Sequence, residues 1–413
     1  MNDNSQKNRR ASSTQEMPWF LTKKEDECSQ CEWLLLQEVK GSYNTRLVPC
    51  GRDKKGNDLF MNTLTMEPKS QPGKADQELI HVVLTHGWGG GMGMYVRNLD
   101  ALSKVPNIRV HAIDWIGMGR SSRCKFSKWP VSKMDEERVV KQSLNFFLKP
   151  LEKWRKRMRI EKMILVGHSL GGYLCANYAI RHPDHVLRLL LVSPEGLGVR
   201  PEEKKSSWQL RAAKFLRKLD PRNLIIDRGL GRVKANYFAD KKWSNLGIAS
   251  RTLESLSHYI DSISALPHSG EHAANLFLND DNYARVPLIE RMRDVKVPTA
   301  FVMGDRQSRD LRIVRELMRD DRLKCWIESC YEFPNCGVMA FFESPKLFDL
   351  VLKSEIERTG TKDFSEQKGM NARSHIRKMS CPGRLIGSDS DTFMMSIAED
   401  ACDISHTEHD ARV

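Results

Sequence analysis

No run in the 413-residue chain approaches the roughly 18 to 20 consecutive apolar residues a membrane-spanning helix needs. Residues Met1–Gln15 are polar and basic and lack the apolar core of a secretory signal, which predicts a cytoplasmic protein. Cysteine is sparse, ten residues in all, too few for a disulfide scaffold and consistent with a reducing compartment. Cys28 and Cys31 form a lone Cys-x-x-Cys pair with no second pair at suitable spacing, so no structural zinc, and no metal or cofactor, is expected. Histidine is missing between His272 and His375, a gap that matters below. With 40% hydrophobic and 29% charged residues, collagen-like, fibrous and wholly disordered chains are excluded. What the chain has in excess is positive charge: 66 Lys and Arg against 53 Asp and Glu, a net +13. That excess fits nucleic acid, a membrane surface, or no partner at all.

Short apolar runs alternate with helical periods. Leu59–Thr65, Ile80–Thr85, Val110–Ile113, Met163–Val166, Val186–Val192 and Thr299–Met303 read as strands, while Met134–Leu151 and Leu170–Ile180 read as helices. Fully apolar strands alternating with helices predict an α/β fold, with a mostly parallel sheet covered by helices on both faces. About a hundred residues separate the strands at Val192 and Thr299, far more than the roughly 2–6 of an ordinary connection, so an inserted helical lid is expected. The expected organisation is a flexible N-terminal segment at 1–32, core at 33–194, lid at 195–297, core again at 298–357, and a flexible tail at 358–413. Arg9-Arg10-Ala11-Ser12 and Arg377-Lys378-Met379-Ser380 are basic stretches ending in serine, candidate phosphorylation sites.

The chemistry concentrates in three loops. Gly167-His168-Ser169-Leu170-Gly171-Gly172 lies between a strand and a helix, the arrangement of a nucleophile elbow that presents Ser169 at a helix N-terminus. His86-Gly87-Trp88-Gly89-Gly90-Gly91 follows an earlier strand, where backbone amides near Trp88 and Leu170 would form an oxyanion hole. Asp114-Trp115-Ile116-Gly117-Met118-Gly119-Arg120-Ser121-Ser122 closes the next strand.

In this order the three motifs resemble the α/β-hydrolase superfamily. Gly89–Leu99, Ser193-Pro194-Glu195-Gly196, and Leu266-Pro267-His268-Ser269-Gly270-Glu271 through Pro287–Arg291 resemble its abhydrolase-domain subfamily of proteins four and five. The resemblance covers roughly residues 33–357. It implies a protein of lipid metabolism of one of two kinds. One kind hydrolyses N-acyl phospholipids; the other sits on lipid droplets and activates adipose triglyceride lipase without being a lipase itself. Lysophosphatidic acid acyl transfer has also been credited to such proteins.

The resemblance implies a triad in the chain order Ser, Asp, His. The acid position of its Gly-x-Arg-x-x-x-Asp pattern falls on Asp310, with Asp305 a second candidate. Aligned on Glu343-Ser344-Pro345, the base position of its Gly-His-x-x-x-x-Asp pattern falls on Val338, and the acid that ends it is Glu343. The histidine gap means that no small shift of register rescues a base. His168 adjoins the serine, His86 serves its loop, and His268 and His272 belong to the lid and would have to swing in. Losing the histidine of a working triad costs on the order of 10⁶ in kcat. A hydrolase frame with impaired chemistry is therefore expected. The alternative is an active lipid hydrolase or acyltransferase using Ser169 with a base from elsewhere.

The residues through which the droplet-bound kind engages its lipase carry over onto Arg306 and Gly337, both present. The resemblance thus implies a triglyceride lipase of the adipose type as partner, the phospholipid monolayer of droplets as a second, and a bound acyl lipid. Trp19, Phe20, Leu21 and Trp33 are the candidate monolayer residues, although Leu34–Val39 reads equally as a first strand. Residues 200–242 hold 13 Lys and Arg against 5 Asp and Glu, with Trp208, Ala212, Phe215, Leu216 and Leu219 at helical spacing. A basic amphipathic helix over the pocket suits an anionic phospholipid surface. No nucleic-acid motif accompanies the charge, so nucleic acid is not expected.

Overall fold

Three central strands, β3 (Ile80–Thr85), β5 (Met163–His168) and β6 (Val186–Val192), are largely apolar and buried on both faces, and that burial is what organises the fold. Successive side chains alternate: Met163, Leu165, Leu189 and Leu191 enter one core, and Ile164, Val166, Leu190 and Val192 the other. The computed structural model describes residues 22–67, 79–124, 126, 135–199, 248–278, 283–323, 326–360 and 375–378.

The sheet has nine strands in the order β1-β2-β4-β3-β5-β6-β7-β8-β9. The remaining strands are β1 (Tyr43–Arg52), β2 (Asp58–Met66), β4 (Ile108–Ile113), β7 (Thr299–Gly304), β8 (Ile327–Phe333) and β9 (His375–Lys378). β1 pairs antiparallel with β2 and β2 with β4; all other neighbours are parallel. One face carries α2 (Glu136–Arg157), α3 (Leu170–Arg181) and α6 (Ser308–Arg319). The other carries α1 (Lys23–Leu36), α4 (Ser250–Ser264) and α7 (Pro345–Gly360). Between β6 and β7 the chain inserts α4 and the short α5 (Gly270–Asn275).

The structure bears on three expectations. First, the N-terminal segment is not flexible throughout, and Leu34–Val39 does not open the sheet. Helix α1 begins at Lys23 behind a capping box in which Thr22 Oγ1 accepts from Glu25 N (3.3 Å) and Glu25 Oε2 accepts from Thr22 N (2.8 Å). Its buried face is Cys28, Glu32, Leu35 and Leu36, a helical spacing disguised by the acid in its middle. Glu32 is held by an ion pair with Arg120 and by Asn62 Nδ2 (2.9 Å). Second, Trp33 lies on the opposite face of α1, 60% exposed, next to Leu34 at 51%. Third, α7 runs to Gly360, and β9, inside the expected tail, pairs in parallel with β8. Trp19, Phe20, Leu21, the basic stretch 200–242, Ser12 and Ser380 lie outside the described residues.

A buried ion cluster fastens α7 to the sheet. Arg188 on β6 donates to Glu355 (2.7 Å) on α7 and Glu328 (2.8 Å) on β8, and Tyr331 donates to the same Glu355. Removing one member leaves buried charge uncompensated, at about 3–5 kcal/mol. Arg188→Ala should therefore lower stability by about that amount, read as an earlier midpoint in chemical denaturation.

Candidate active site

Ser169 sits between β5 and α3 with φ 52° and ψ −117°, in the left-handed region that side chains avoid. Its backbone is tied on both sides: Ser169 N donates to Val192 O (3.0 Å), and Ser169 O accepts from Glu195 N (3.0 Å) and Tyr173 N (3.2 Å). The turn closes because Gly171 has no side chain; a Cβ there would lie 2.7 Å from His86 O. Trp88, in the loop after β3, and Leu170, the first residue of α3, line one cavity beside this turn. The two residues expected to supply oxyanion amides thus line one cavity, and Leu170 opens a helix whose free amides favour negative charge.

The cavity measures about 320 Å³ and is lined chiefly by apolar groups, among them Tyr173, Phe277, Leu278 and Ala284. Glu195, three residues past β6, lines this cavity, and burial pushes its carboxyl up to about 6. Sequence reading quoted Glu195 only as part of a motif. The available signal was an acid close behind the end of a largely apolar strand.

Three of the candidate histidines, His168, His86 and His268, are engaged elsewhere. His168 Nε2 lies 3.0 Å from Val338 O; a carbonyl only accepts, so Nε2 carries the proton. Burial, with a further push from His86, lowers the His168 imidazole to about 4, against the Val338 bond that raises it. His86 is consumed by its own loop, with Nδ1 at 2.7 Å from Gly87 O and Nε2 at 3.1 Å from Trp115 N. His268 Nδ1 lies 3.7 Å from Glu271, whose carboxylate also meets Arg123 at 3.3 Å, so it belongs to a charge cluster of the lid. The hydrogen bonds of the described residues include none to Ser169 Oγ.

Val338 is 49% exposed, and its side chain adds no polar group to the site. The acid and base loops nevertheless interlock. Arg306 N donates to Cys336 O (3.2 Å), and Asp305 accepts from Asn335 N (2.9 Å), which gives that carboxylate a structural task. Gly337 N donates to Glu343 (3.0 Å), so Glu343 holds the loop that Val338 ends. Arg306 is exposed, and Asp310 is half-buried in the first turn of α6. Gln307, which sequence reading passed over, bridges the two strand ends: its Oε1 accepts from Ser193 Oγ (2.7 Å) and Gly304 N (3.1 Å).

Sheet order, elbow and oxyanion loop together define an α/β-hydrolase frame. The chain belongs to the α/β-hydrolase fold family, whose match spans residues 80–345. It is similar to a probable 1-acylglycerol-3-phosphate O-acyltransferase of Oryza sativa subsp. japonica, 28% identical over 349 residues, or 78% of this chain and 79% of that protein. It is also similar to the (lyso)-N-acylphosphatidylethanolamine lipase of Homo sapiens, 29% identical over 290 residues, or 65% and 74%. These relatives agree with the abhydrolase-domain subfamily to which the motifs pointed. Among solved structures, the naproxen esterase of Bacillus subtilis aligns with TM-score 0.54 at 16% identity, over 83% of this chain and all of that one, and this shows a shared fold.

The His168 geometry carries a pH signature. An unfolded imidazole takes up a proton below about 6.5, whereas in the fold His168 resists until about 4. Between these values the unfolded state binds more protons, so stability rises with pH and falls on acidification, by at most about 3 kcal/mol from this group. His168→Gln, which keeps a donor for Val338 O, should flatten that part of the slope when urea midpoints at pH 7 and pH 4.5 are compared.

Proposed function

We propose that this α/β-hydrolase-fold protein works in lipid metabolism as a catalytically impaired co-activator of a triglyceride lipase, peripheral on lipid droplets. The observation that carries the reading is the state of the base position. Val338 stands there half-exposed, and the imidazole adjoining Ser169 is neutral and spends its Nε2 proton on the Val338 carbonyl. A serine hydroxyl without a base is a poor nucleophile at neutral pH. The interlocked acid and base loops present Arg306 to solvent beside Gly337, a rigid surface suited to a protein partner. The relatives, an acyltransferase and a lipase by name, support acyl lipids as the class of molecule concerned.

The test is hydrolysis of emulsified triacylglycerol by an adipose-type lipase with and without this protein. Stimulation that Arg306→Ala abolishes is expected, with no hydrolysis by the protein alone; no stimulation at all would sink the proposal. Val338→His, assayed alongside, should bring hydrolysis of acyl esters above the wild-type background if the rest of the frame is competent.

The strained elbow at Ser169 favours a second reading, an active lipid hydrolase or acyltransferase. A fluorophosphonate probe separates the two: slow or absent labelling of Ser169 is expected, and rapid labelling would favour the enzyme.

Attachment to the monolayer draws on Trp33 and Leu34, adjacent and exposed at the end of α1. Burying such a side chain is worth roughly 1.5–3 kcal/mol. Trp33→Ala should therefore weaken flotation with phospholipid-coated triacylglycerol emulsions by about tenfold or more.

A further inference from the structure

A carboxylate enclosed by protein is expensive unless a partner compensates it. Glu195, part-buried in the wall of the cavity, has no such partner among the described residues. Glu355, Glu271 and Glu32 each face an arginine: Arg188, Arg123 and Arg120. Among the described residues Glu195 faces none. Burial pushes its carboxyl up to about 6, so that it is still ionised at pH 8. The described lining of its cavity holds no Lys or Arg, the cation closest to that wall being Arg291, which is bonded to Tyr173.

The other polar side chains in that wall are occupied. Tyr173 OH donates to Val286 O (2.9 Å), Trp88 Nε1 points to Glu271 O (3.4 Å), and Asn275 has a partner of its own. What remains around the carboxylate is aromatic and aliphatic surface: Trp88, Tyr173 and Phe277, with Leu170 and Leu278. Tyr173 and Phe277 pack ring to ring at 5.1 Å. Aromatic faces carry negative charge density and attract cations, most strongly where water is excluded. A lone carboxylate adds a full opposite charge. The aliphatic remainder suits a hydrocarbon body, and about 320 Å³ lies at the small end of ligand pockets.

We propose that this cavity binds an ammonium-bearing lipid, a choline-type head group on an apolar body, with Glu195 as the counter-ion and Trp88, Tyr173 and Phe277 as the aromatic wall. This rests on the reading of the cavity as a lipid pocket and narrows it. The cavity takes cations and refuses anions: a fatty carboxylate or a phosphate placed here would meet Glu195 with like charge.

The test uses the full chain at pH 8 and three non-hydrolysable or inert probes, titrated calorimetrically. These are choline hexyl ether, its uncharged isostere 3,3-dimethylbutyl hexyl ether, and hexanoate. The cation should bind at least tenfold more tightly than the isostere, and hexanoate should bind most weakly. Glu195→Gln, close in shape and free of charge, should bring the cation and isostere to within about threefold of each other without weakening the isostere, and should leave the melting temperature unchanged or raised. Equal binding of cation and isostere to the wild type overturns the proposal but leaves a lipid pocket in place. A preference that survives Glu195→Gln overturns the role of Glu195. If none of the three probes binds, the lipid-pocket reading falls with it.

Discussion

The structure hangs on the backbone of one residue. Ser169 is held at φ 52°, a conformation that costs on the order of 1–3 kcal/mol and persists only where its surroundings over-determine it. Here they do. β6 supplies Val192 O, the segment after β6 supplies Glu195 N, and α3 supplies Tyr173 N. Those three bonds join the nucleophile strand, its neighbour and the following helix at one point. They also place Leu170, Trp88 and Glu195 around a common cavity. The oxyanion loop, the cavity and the position of His168 all follow from that turn.

From the elbow the chain of contacts runs outward. His168 reaches Val338 O, Gly337 is held by Glu343, and Arg306 N meets Cys336 O. These loops are joined by backbone and carboxylate bonds, which fix their shape. Loops tied from beneath in this way hold the side chains they carry in fixed positions.

How much of this was legible depended on where apolar residues stood alone. β3, β5, β6 and β7 were readable because central parallel strands, buried on both faces, are largely apolar, with Arg188 the one charge among them. β8 was not: Glu328 and Glu332 interrupt it, and only the fold reveals that Arg188 and Arg315 await them. β1 alternates exposed and half-buried positions at the sheet edge, and β9 is four residues long with two basic side chains. Helix α1 escaped because Glu32 sits where an apolar residue would complete its stripe. At the site, Ser169, Leu170 and Trp88 were legible from glycine spacing, since close backbone approach demands it. Glu195 and Gln307 were not, because the task of each is set by partners, or a lack of them, more than a hundred residues away or across a cavity.

Helix α1 has a mechanical consequence. It lies antiparallel along α4: Lys24 reaches Ala265 O (3.3 Å) at one end, and Glu38 meets Thr252 (3.4 Å) and Arg251 (3.5 Å) at the other. Between them Leu35 presses on Gly93, and Tyr259 of α4 accepts from Gly93 N (3.4 Å) in the segment that follows the oxyanion loop. Packed interiors transmit displacement instead of absorbing it. A force applied at Trp33 is therefore not confined to the N-terminus. It passes through α4 to Gly93, so that the outward-facing helix and the segment after the oxyanion loop move as neighbours in one packed layer.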